Sequence, residues 1–528
     1  MNSKVCLIVL DGWGIGEQNQ SNPISRANTP NINEIKKYFP ITSLQASGIA
    51  VGLPWLEEGN SEVGHLIMGA GQIIYQYYPR INKTIEDKTF FQNPVLNELM
   101  NHAKNNNSSC HLIGLLTSGN VHSSYTHLIA LVDLARSLGL KDLKLHLFTD
   151  GRDSPSREGI NLVQKLKEDL ANRGVGEIAS ISGRFYAMDR DGNWNRIEKV
   201  WKIITQGINR TESDPEKYLE ASYQQGANDE FIEPALMAQR EGAKPNTIQD
   251  NDSIFFFNFR EDSIRQLIQP FVNLNFDQFK ITAPKKIYIA SMTEIKDGLN
   301  IKVAFPKQAI SNPLAKVLSD SNKRQLHLGE SEKSAHITYF FNGLNEKPFP
   351  GEYWVIIPSL KTLHHEQSPQ LMGPVITERL TQAIEENIYD FILVNYANPD
   401  LIGHTGDFEA ALKCVNYIDG EIGKIASLCL IKNVTLVITA DHGNLERMIN
   451  PFTGRAETQH DPNPVPFYLI DNRFKLSSPK SEELIISQEK HIGGVLCDIA
   501  PTVLSLMGIN KPDEMTGHDL LKILGLGI

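Results

Sequence analysis

Short apolar runs alternate along the chain with longer amphipathic stretches. Residues 5–10 (VCLIVL), 111–116, 143–148, 178–182, 253–257, 286–290, 353–357, 391–395 and 434–439 are apolar runs of strand length and read as buried strands. Between them lie stretches with helical periodicity, among them 30–38, 156–171 and 408–428. The first has Thr29 as a cap and Pro30 at the first helical position, where a missing N–H costs nothing. Strand–helix alternation of this kind predicts α/β layers with largely parallel sheets. No repeat of fixed period interrupts it, and residues 105–109 (NNNSS) form a polar loop.

A chain of 528 residues is too long for one ordinary core, so several domains are expected. Two stretches have the chemistry of crossings, 77–82 and 300–312, the second with Pro306 inside it and Pro313 beyond. If the chain crosses at both, residues 1–76 and 309–528 form one discontinuous domain and 77–308 an inserted one. At 41% hydrophobic and 21% charged, the composition is that of a globular chain and excludes collagen-like repeats, coiled coil and wholesale disorder. Net charge is −11, from 51 basic and 62 acidic residues, which argues against nucleic acid as a partner. A small anion remains possible wherever Arg and Lys converge. Cys6, Cys110, Cys414, Cys429 and Cys497 are odd in number and scattered, so they are neither a disulfide framework nor a zinc ribbon. The opening MNSKVCLIVLDGWG is too short in apolar residues for a secretory signal, and no run reaches the roughly 18 residues of a membrane span. A cytoplasmic location without membrane attachment is therefore expected.

Three predicted strands run directly into acids: Asp11 after VCLIVL, Asp400 after FILVNYANP and Asp441 after LVITA. In parallel sheets, ligands bind just beyond the carboxyl ends of strands. His404 stands four residues after Asp400, His442 is next to Asp441, and His460 follows in TQHDPNP. A lone Asp after a strand is usually a turn or helix cap. Three of them, two accompanied by His, point to one or two borderline divalent cations such as manganese or zinc. Gly12, Gly14 and Gly16 have the spacing G-x-G-x-G, which is not the dinucleotide-binding G-x-G-x-x-G.

Ser61 lies in GNSEVGH, at or near the start of a helix, where free N–H groups favour a phosphate. It reads either as an N-cap or as a nucleophile. A serine nucleophile needs a base or a metal to activate it. The middle region carries basic residues at three strand ends: Arg152 beside Asp153 in FTDGRDS, Arg184 and Arg190 in SGRFYAMDRD, and Arg260 in FFFNFRED. Arg presents a planar fork to carboxylate or phosphate, although most Arg residues are surface charge. His122 in SGNVHSS follows the run 111–116, and Lys333 in GESEKSAH reads as a helix-borne phosphate ligand; alone, the first looks structural and the second like any exposed Lys.

With these motifs the sequence resembles the cofactor-independent, 2,3-bisphosphoglycerate-independent phosphoglycerate mutases nearly end to end. The ordered matches are LDGWG, GNSEVGH, VHS, FTDGRD, GRFYAMDRD, FNFR, ESEKSAH, NYANPDLIGHTGD, TADHGN, NPVPF and DIAPTVLSLMG. The resemblance implies an alkaline-phosphatase-like α/β domain made of the two chain ends, with a largely parallel sheet, plus an inserted α/β transferase domain. It implies two manganese ions or close substitutes, a phosphoserine at Ser61, no bisphosphoglycerate cofactor, and a monomer acting on 3- and 2-phosphoglycerate in glycolysis. By the same resemblance, Asp11, Ser61, Asp441 and His442 hold one metal, and Asp400, His404 and His460 the other. His122, Arg152, Asp153, Arg184, Arg190, Arg260 and Lys333 match substrate-binding positions, with Asp153 as general acid or base. Ser263 stands where the family typically has Arg, which predicts a raised KM unless Arg265 compensates. A metal-dependent phosphomonoesterase or another phosphomutase on the same scaffold is the alternative, and a non-catalytic binding protein a third.

Overall fold

The computed structural model describes residues 3–208, 211–239, 244–273, 275–282, 284–296, 298–450 and 452–526. The chain divides into two compact units, Met1–Gln76 with Ala309–Ile528, and Tyr77–Gln308. In chain order the strands are β1 (Lys4–Leu10) and β2 (Ile41–Gln45) in the first unit. The second unit comes next with β3 (Cys110–Leu116), β4 (Leu143–Thr149), β5 (Glu177–Gly183), β6 (Thr211–Glu212), β7 (Ala235–Met237), β8 (Ser253–Phe256), β9 (Tyr288–Ser291) and β10 (Lys302–Val303). The first unit resumes with β11 (Gln325–Glu330), β12 (Glu352–Ile357), β13 (Phe391–Tyr396), β14 (Val434–Thr439), β15 (Val465–Ile470) and β16 (Ile492–Val495). Among the described residues these form two eight-stranded sheets.

In the first unit the order is β12-β11-β13-β1-β14-β15-β2-β16. Only the β14–β15 and β15–β2 pairings are antiparallel. β1 is parallel to both β13 and β14 and in step with them: Leu10 lies opposite Tyr396, and Val9 opposite Thr439. Three parallel strands that end level bring the residues just after them to one edge of the sheet. The continuous apolar runs have a simple cause, since Ile8, Leu393 and Val437 are all buried in the core. Each such side chain contributes about 1.5–3 kcal/mol relative to leaving it in water. After β1 the chain turns at Gly12, whose φ is +73°, and a Cβ there would meet the Asp400 backbone at 2.9 Å. A side chain at Gly64 would strike the Asp441 carbonyl at 2.5 Å, so the helix Ser61–Ala70 packs directly on the Asp441 turn.

The second unit has the order β10-β9-β8-β3-β4-β5-β7-β6, with β5–β7 its antiparallel pair. Its core strands also end close together: Leu116 is opposite Thr149, and Thr149 opposite Gly183. The α/β layering with largely parallel sheets is thus as the pattern predicts.

Several local expectations change. Residues 77–82, expected as a crossing, open the helix Tyr77–Glu86. Thr29 precedes the helix Pro30–Tyr38, but its side chain caps no amide, and the Asp419 carboxylate accepts from Asn31 N and Ile32 N instead. β11 escapes the apolar pattern because its sequence QLHLGE hides polar residues that are nonetheless buried. There Gln325 donates to the Ala315 carbonyl and His327 to the Ile337 carbonyl. Among the described residues no helix is long and apolar enough to cross a membrane.

Candidate active site

In the first unit, the level strand ends bring Asp11, Asp400, Asp441 and His442 together. Ser61 is the first residue of the helix Ser61–Ala70, and the cap is Asn60, whose side chain accepts from Val63 N. Ser61 is thereby free for other partners. Its Oγ lies 3.0 Å from Asp11 Oδ1 and 3.0 Å from His442 Nε2. Lys333, from the single turn after β11, donates to Ser61 Oγ at 2.8 Å, Asp11 Oδ1 at 2.6 Å and Asp400 Oδ2 at 2.7 Å. All of these groups are buried.

The imidazoles are oriented by the backbone. His404 Nδ1 donates to the Thr458 carbonyl at 2.8 Å, His460 Nδ1 to the Gly59 carbonyl at 2.7 Å, and His442 Nδ1 to the Gly443 carbonyl at 3.2 Å. Each Nε2 is left facing inward. His404 Nε2 and His460 Nε2 are only 3.2 Å apart, and both approach Asp400 Oδ1, at 3.3 and 3.4 Å. Two lone pairs so close to each other and to a carboxylate call for a cation among them. Asp441 Oδ2 is buried without a hydrogen-bond partner, a second unsatisfied acceptor. Oxygen and imidazole donors in this arrangement fit a borderline divalent ion.

Charge is concentrated here. Burial works to raise the Asp11 pKa, but Lys333 and His442 pull it far below the ordinary carboxylate range. Asp400 is lowered in the same way, against burial, chiefly by Lys333 and by His404. Burial disfavours the charged form of Lys333, yet Asp11, Asp400 and Asp441 raise its pKa further. His442 is likewise raised to about 10, against burial, by Asp441, Asp11 and Asp400. Three carboxylates at one place hold positive charge in whatever form is at hand.

The sets of donor atoms within 4.8 Å of one another are Asp400, His442 and His460, and Asp11, His65 and Asp441. They cut across the division implied by the resemblance, because His442 stands between the carboxylates. Its Nε2 is 3.5 Å from Asp11, 3.7 Å from Asp441 and 3.9 Å from Asp400. His65 escaped the sequence reading, although its spacing of four from Ser61 on a helix was available as a signal. Asn395, which donates to Asp11 Oδ2 at 2.6 Å, and Asn444, which donates to Asp400 Oδ1 at 2.8 Å, escaped it too.

In the second unit Arg184 is the centre. It donates to Asp150 Oδ1 at 2.6 Å, to Asp153 Oδ2 at 2.5 Å and to His122 Nε2 at 3.0 Å. His122 therefore accepts at Nε2. Burial, then Arg184 and Arg260, lower its pKa to about 4. Arg190 and Arg260 both pair with Asp262. Arg184 and Arg190 line one small cavity together with Arg152 and Arg196. Arg152 is largely exposed, 3.9 Å from Glu230. Lys333, expected both among the substrate ligands and as the group that holds the phosphoryl charge at Ser61, stands in the Ser61 cluster of the first unit. Asp150 was missed, although it precedes Arg152 by two residues.

Ser263 is buried. Its Oγ donates to the Arg260 carbonyl at 2.6 Å and accepts from Asn258 Nδ2 at 3.1 Å. It closes the loop carrying Arg260 instead of reaching into a cavity. Arg265 donates to the Ile295 carbonyl at 3.0 Å and lines a separate cavity of about 650 Å³. Arg265 thus does not stand in for the missing arginine in this structure.

Comparison with known proteins matches residues 81–297 to the family described as BPG-independent PGAM N-terminus. A 2,3-bisphosphoglycerate-independent phosphoglycerate mutase of Thermomicrobium roseum is 42% identical over 525 residues, 99% of each chain. One of Methanosarcina barkeri is 42% identical over 516 residues, covering 98% of this chain and 97% of that protein. Among solved structures, Leishmania mexicana phosphoglycerate mutase at low cobalt concentration matches with a TM-score of 0.50 and 25% identity, over 98% of this chain and 97% of that one.

Proposed function

The chain belongs to the 2,3-bisphosphoglycerate-independent phosphoglycerate mutase family, and from that premise we propose that it interconverts 3- and 2-phosphoglycerate through a phosphoserine at Ser61. The observation that carries this reading is the position of Ser61 Oγ, buried within 3.0 Å of Asp11, His442 and Lys333 at once.

Asp11, Ser61, Asp441 and His442, and Asp400, His404 and His460, would hold two divalent ions, manganese by preference. When bound, such ions lower the pKa of a hydroxyl and neutralise phosphoryl oxygens. The relative crystallised at low cobalt concentration supports a metal-dependent reading. Lys333 stabilises the oxygen anion of Ser61 and then the charge that develops on the phosphoryl group. Ser61 would give up its hydroxyl proton to solvent as the ions bind and react as that oxygen anion; as the Oγ–P bond forms, the bond to the substrate 3-oxygen breaks, and Asp153, protonated at the outset, supplies the proton that oxygen takes. Glycerate is retained by Arg184, Arg190, Arg260, Arg152 and His122, turns, and presents its 2-hydroxyl. Asp153, now a carboxylate, removes the hydroxyl proton as the phosphoryl group leaves Ser61. His122 accepts from Arg184 and so keeps the guanidinium fork aimed.

On this reading the protein works in glycolysis and gluconeogenesis as a cytoplasmic, monomeric enzyme without a bisphosphoglycerate cofactor. A coupled assay with 3-phosphoglycerate and manganese, and no bisphosphoglycerate, tests it. Turnover of 3-phosphoglycerate is expected. An absolute need for bisphosphoglycerate, or net release of inorganic phosphate as the main product, would sink the reading in favour of a different mutase or a phosphomonoesterase.

A further inference from the structure

His65 is wholly buried beneath the nucleophile, and no step above uses it. Its Nδ1 lies 2.9 Å from the carbonyl oxygen of Ser61 and 3.2 Å from Asp441 Oδ2. Its Nε2 lies 3.1 Å from Asn395 Nδ2, and the same Nδ2 donates to Asp11 Oδ2 at 2.6 Å. Asn395 sits on β13 directly opposite Val9 of β1, two residues before Asp11.

The chemistry of these contacts has one consistent solution. A carboxylate oxygen only accepts, so Asp11 forces the NH2 face of the Asn395 amide toward itself. Turned over, the amide would set its own oxygen 2.6 Å from the carboxylate. The second hydrogen of that NH2 then points at His65 Nε2, which must accept. A ring that accepts at Nε2 carries its proton on Nδ1, and that proton goes to the Ser61 carbonyl. The proton also faces Asp441 Oδ2, the carboxylate oxygen without a hydrogen-bond partner.

We propose that His65 and Asn395 are positioning residues that tie Asp11 to the first helical turn bearing Ser61 through one directional hydrogen-bond relay, with Asp441 drawn alongside by the same ring N–H at 3.2 Å. The relay fixes the spacing between the nucleophile and two carboxylates that leave different strands. It resembles the outer shell of many metal sites, where a second hydrogen bond sets the orientation of a ligand and its loss costs 10–100-fold in affinity or activity. Here the oriented groups are the carboxylates and the serine turn, and the imidazole is the device that orients them.

The first test needs neither substrate nor metal. In the full-length, metal-free protein labelled with 15N-histidine, the His65 signals are identified by their loss in His65→Asn. The expected pattern is Nδ1 protonated and Nε2 bare. A proton on Nε2 overturns the proposal.

The kinetic arm rests on the function proposed above. In the manganese-loaded enzyme, His65→Leu should lower kcat by about 10–100-fold while KM changes less than about threefold. His65→Asn keeps an N–H near the Nδ1 position and should recover most of the loss. Asn395→Leu should match His65→Leu, and the double variant should be no worse than either single one, as expected for members of one relay. Additive losses, a loss carried mainly by KM, or failure of His65→Asn to recover more than His65→Leu would each overturn the proposal. If His65→Leu does not fold, the tautomer measurement and the His65→Asn and Asn395→Leu pair still decide it. A wild type without mutase turnover would refute the function instead, leaving the tautomer result to judge the relay by itself.

Discussion

The two sheets follow one plan and carry opposite chemistry. Both are eight-stranded and largely parallel, and both gather functional side chains where central strands end level. In the first unit the gathered groups are three carboxylates and three imidazoles around a serine, with Lys333 the cation hydrogen-bonded to them. In the second they are guanidinium groups already matched by acids: Arg184 by Asp150 and Asp153, Arg190 and Arg260 by Asp262. The first site is short of positive charge and keeps an unpartnered carboxylate oxygen at Asp441. The second is internally paired, so an anion entering it must compete with carboxylates already in place. A parallel sheet supplies the geometry of convergence, and the residues after each strand decide what converges.

The sharpest way to break the comparison is Ser61→Ala. It should reduce mutase turnover roughly a thousandfold or more, as removal of a nucleophile does elsewhere. Metal content, read by elemental analysis, should stay near wild type because the carboxylates and imidazoles remain. Turnover at the wild-type rate would exclude a phosphoserine route.

Arg184→Gln attacks the other pole. It strips a buried cation from Asp150 and Asp153, and breaking a buried pair costs about 3–5 kcal/mol. Chemical denaturation should show that loss, and hydrogen exchange should place it in β4 and β5, with β1 and β13 unchanged. A loss of protection in β1 would mean that the two poles are not energetically separate.

Chelation should produce the reverse pattern. A divalent ion at about 100 times its dissociation constant adds roughly 2.7 kcal/mol to the state that binds it. Removing the metal should therefore lower protection around β1, β13 and β14 and leave β3 and β4 untouched. Equal change in both units would remove the metal from the first.

Ser263→Arg is the next smaller effect. Sequence resemblance alone predicts a lower KM on restoring arginine. The buried Ser263, bonded to Arg260 and Asn258, predicts instead a cost of about 1–3 kcal/mol for overfilling and no gain in KM. A lower KM with unchanged stability would show that the loop opens to admit the longer side chain.

The gentlest test is acid. Burial holds the His127 pKa down to about 3 in the second unit, and lowers that of His146 as well. Above the unfolded value of about 6.5 neither state takes up the proton, and stability does not depend on these groups. Below it the unfolded chain binds protons that the folded chain refuses, so stability falls as pH drops, by up to about 1.4 kcal/mol per pH unit for each group. His127→Gln should make the decline between pH 6.5 and 4 less steep in equilibrium unfolding. An unchanged slope would mean that other groups control it.

Much of this protein was legible from local pattern. β1, β13 and β14 could be placed almost to the residue because burial on both faces makes a strand continuously apolar, and the acid after each run marks where apolar packing gives way to a polar site that is itself buried. Asp11, Asp400, Asp441 and their histidines came from that signal, and GNSEVGH marked a helix start that does carry Ser61. β11 was not legible, since its polar residues find buried partners that only the folded chain supplies. Thr29 looked like a cap, but Asp419, nearly 400 positions away in the chain, took that role. Asn395 was invisible for the same reason, and His65 and Asp150, close to Ser61 and Arg152 in the chain, offered a local signal but not their partners. Their meaning lies in contacts such as Asn395 with Asp11, separated by 384 positions. Periodicity reports which side of an element faces inward. Which atom it meets there depends on strand order and register, and those come from packing the whole sheet at once.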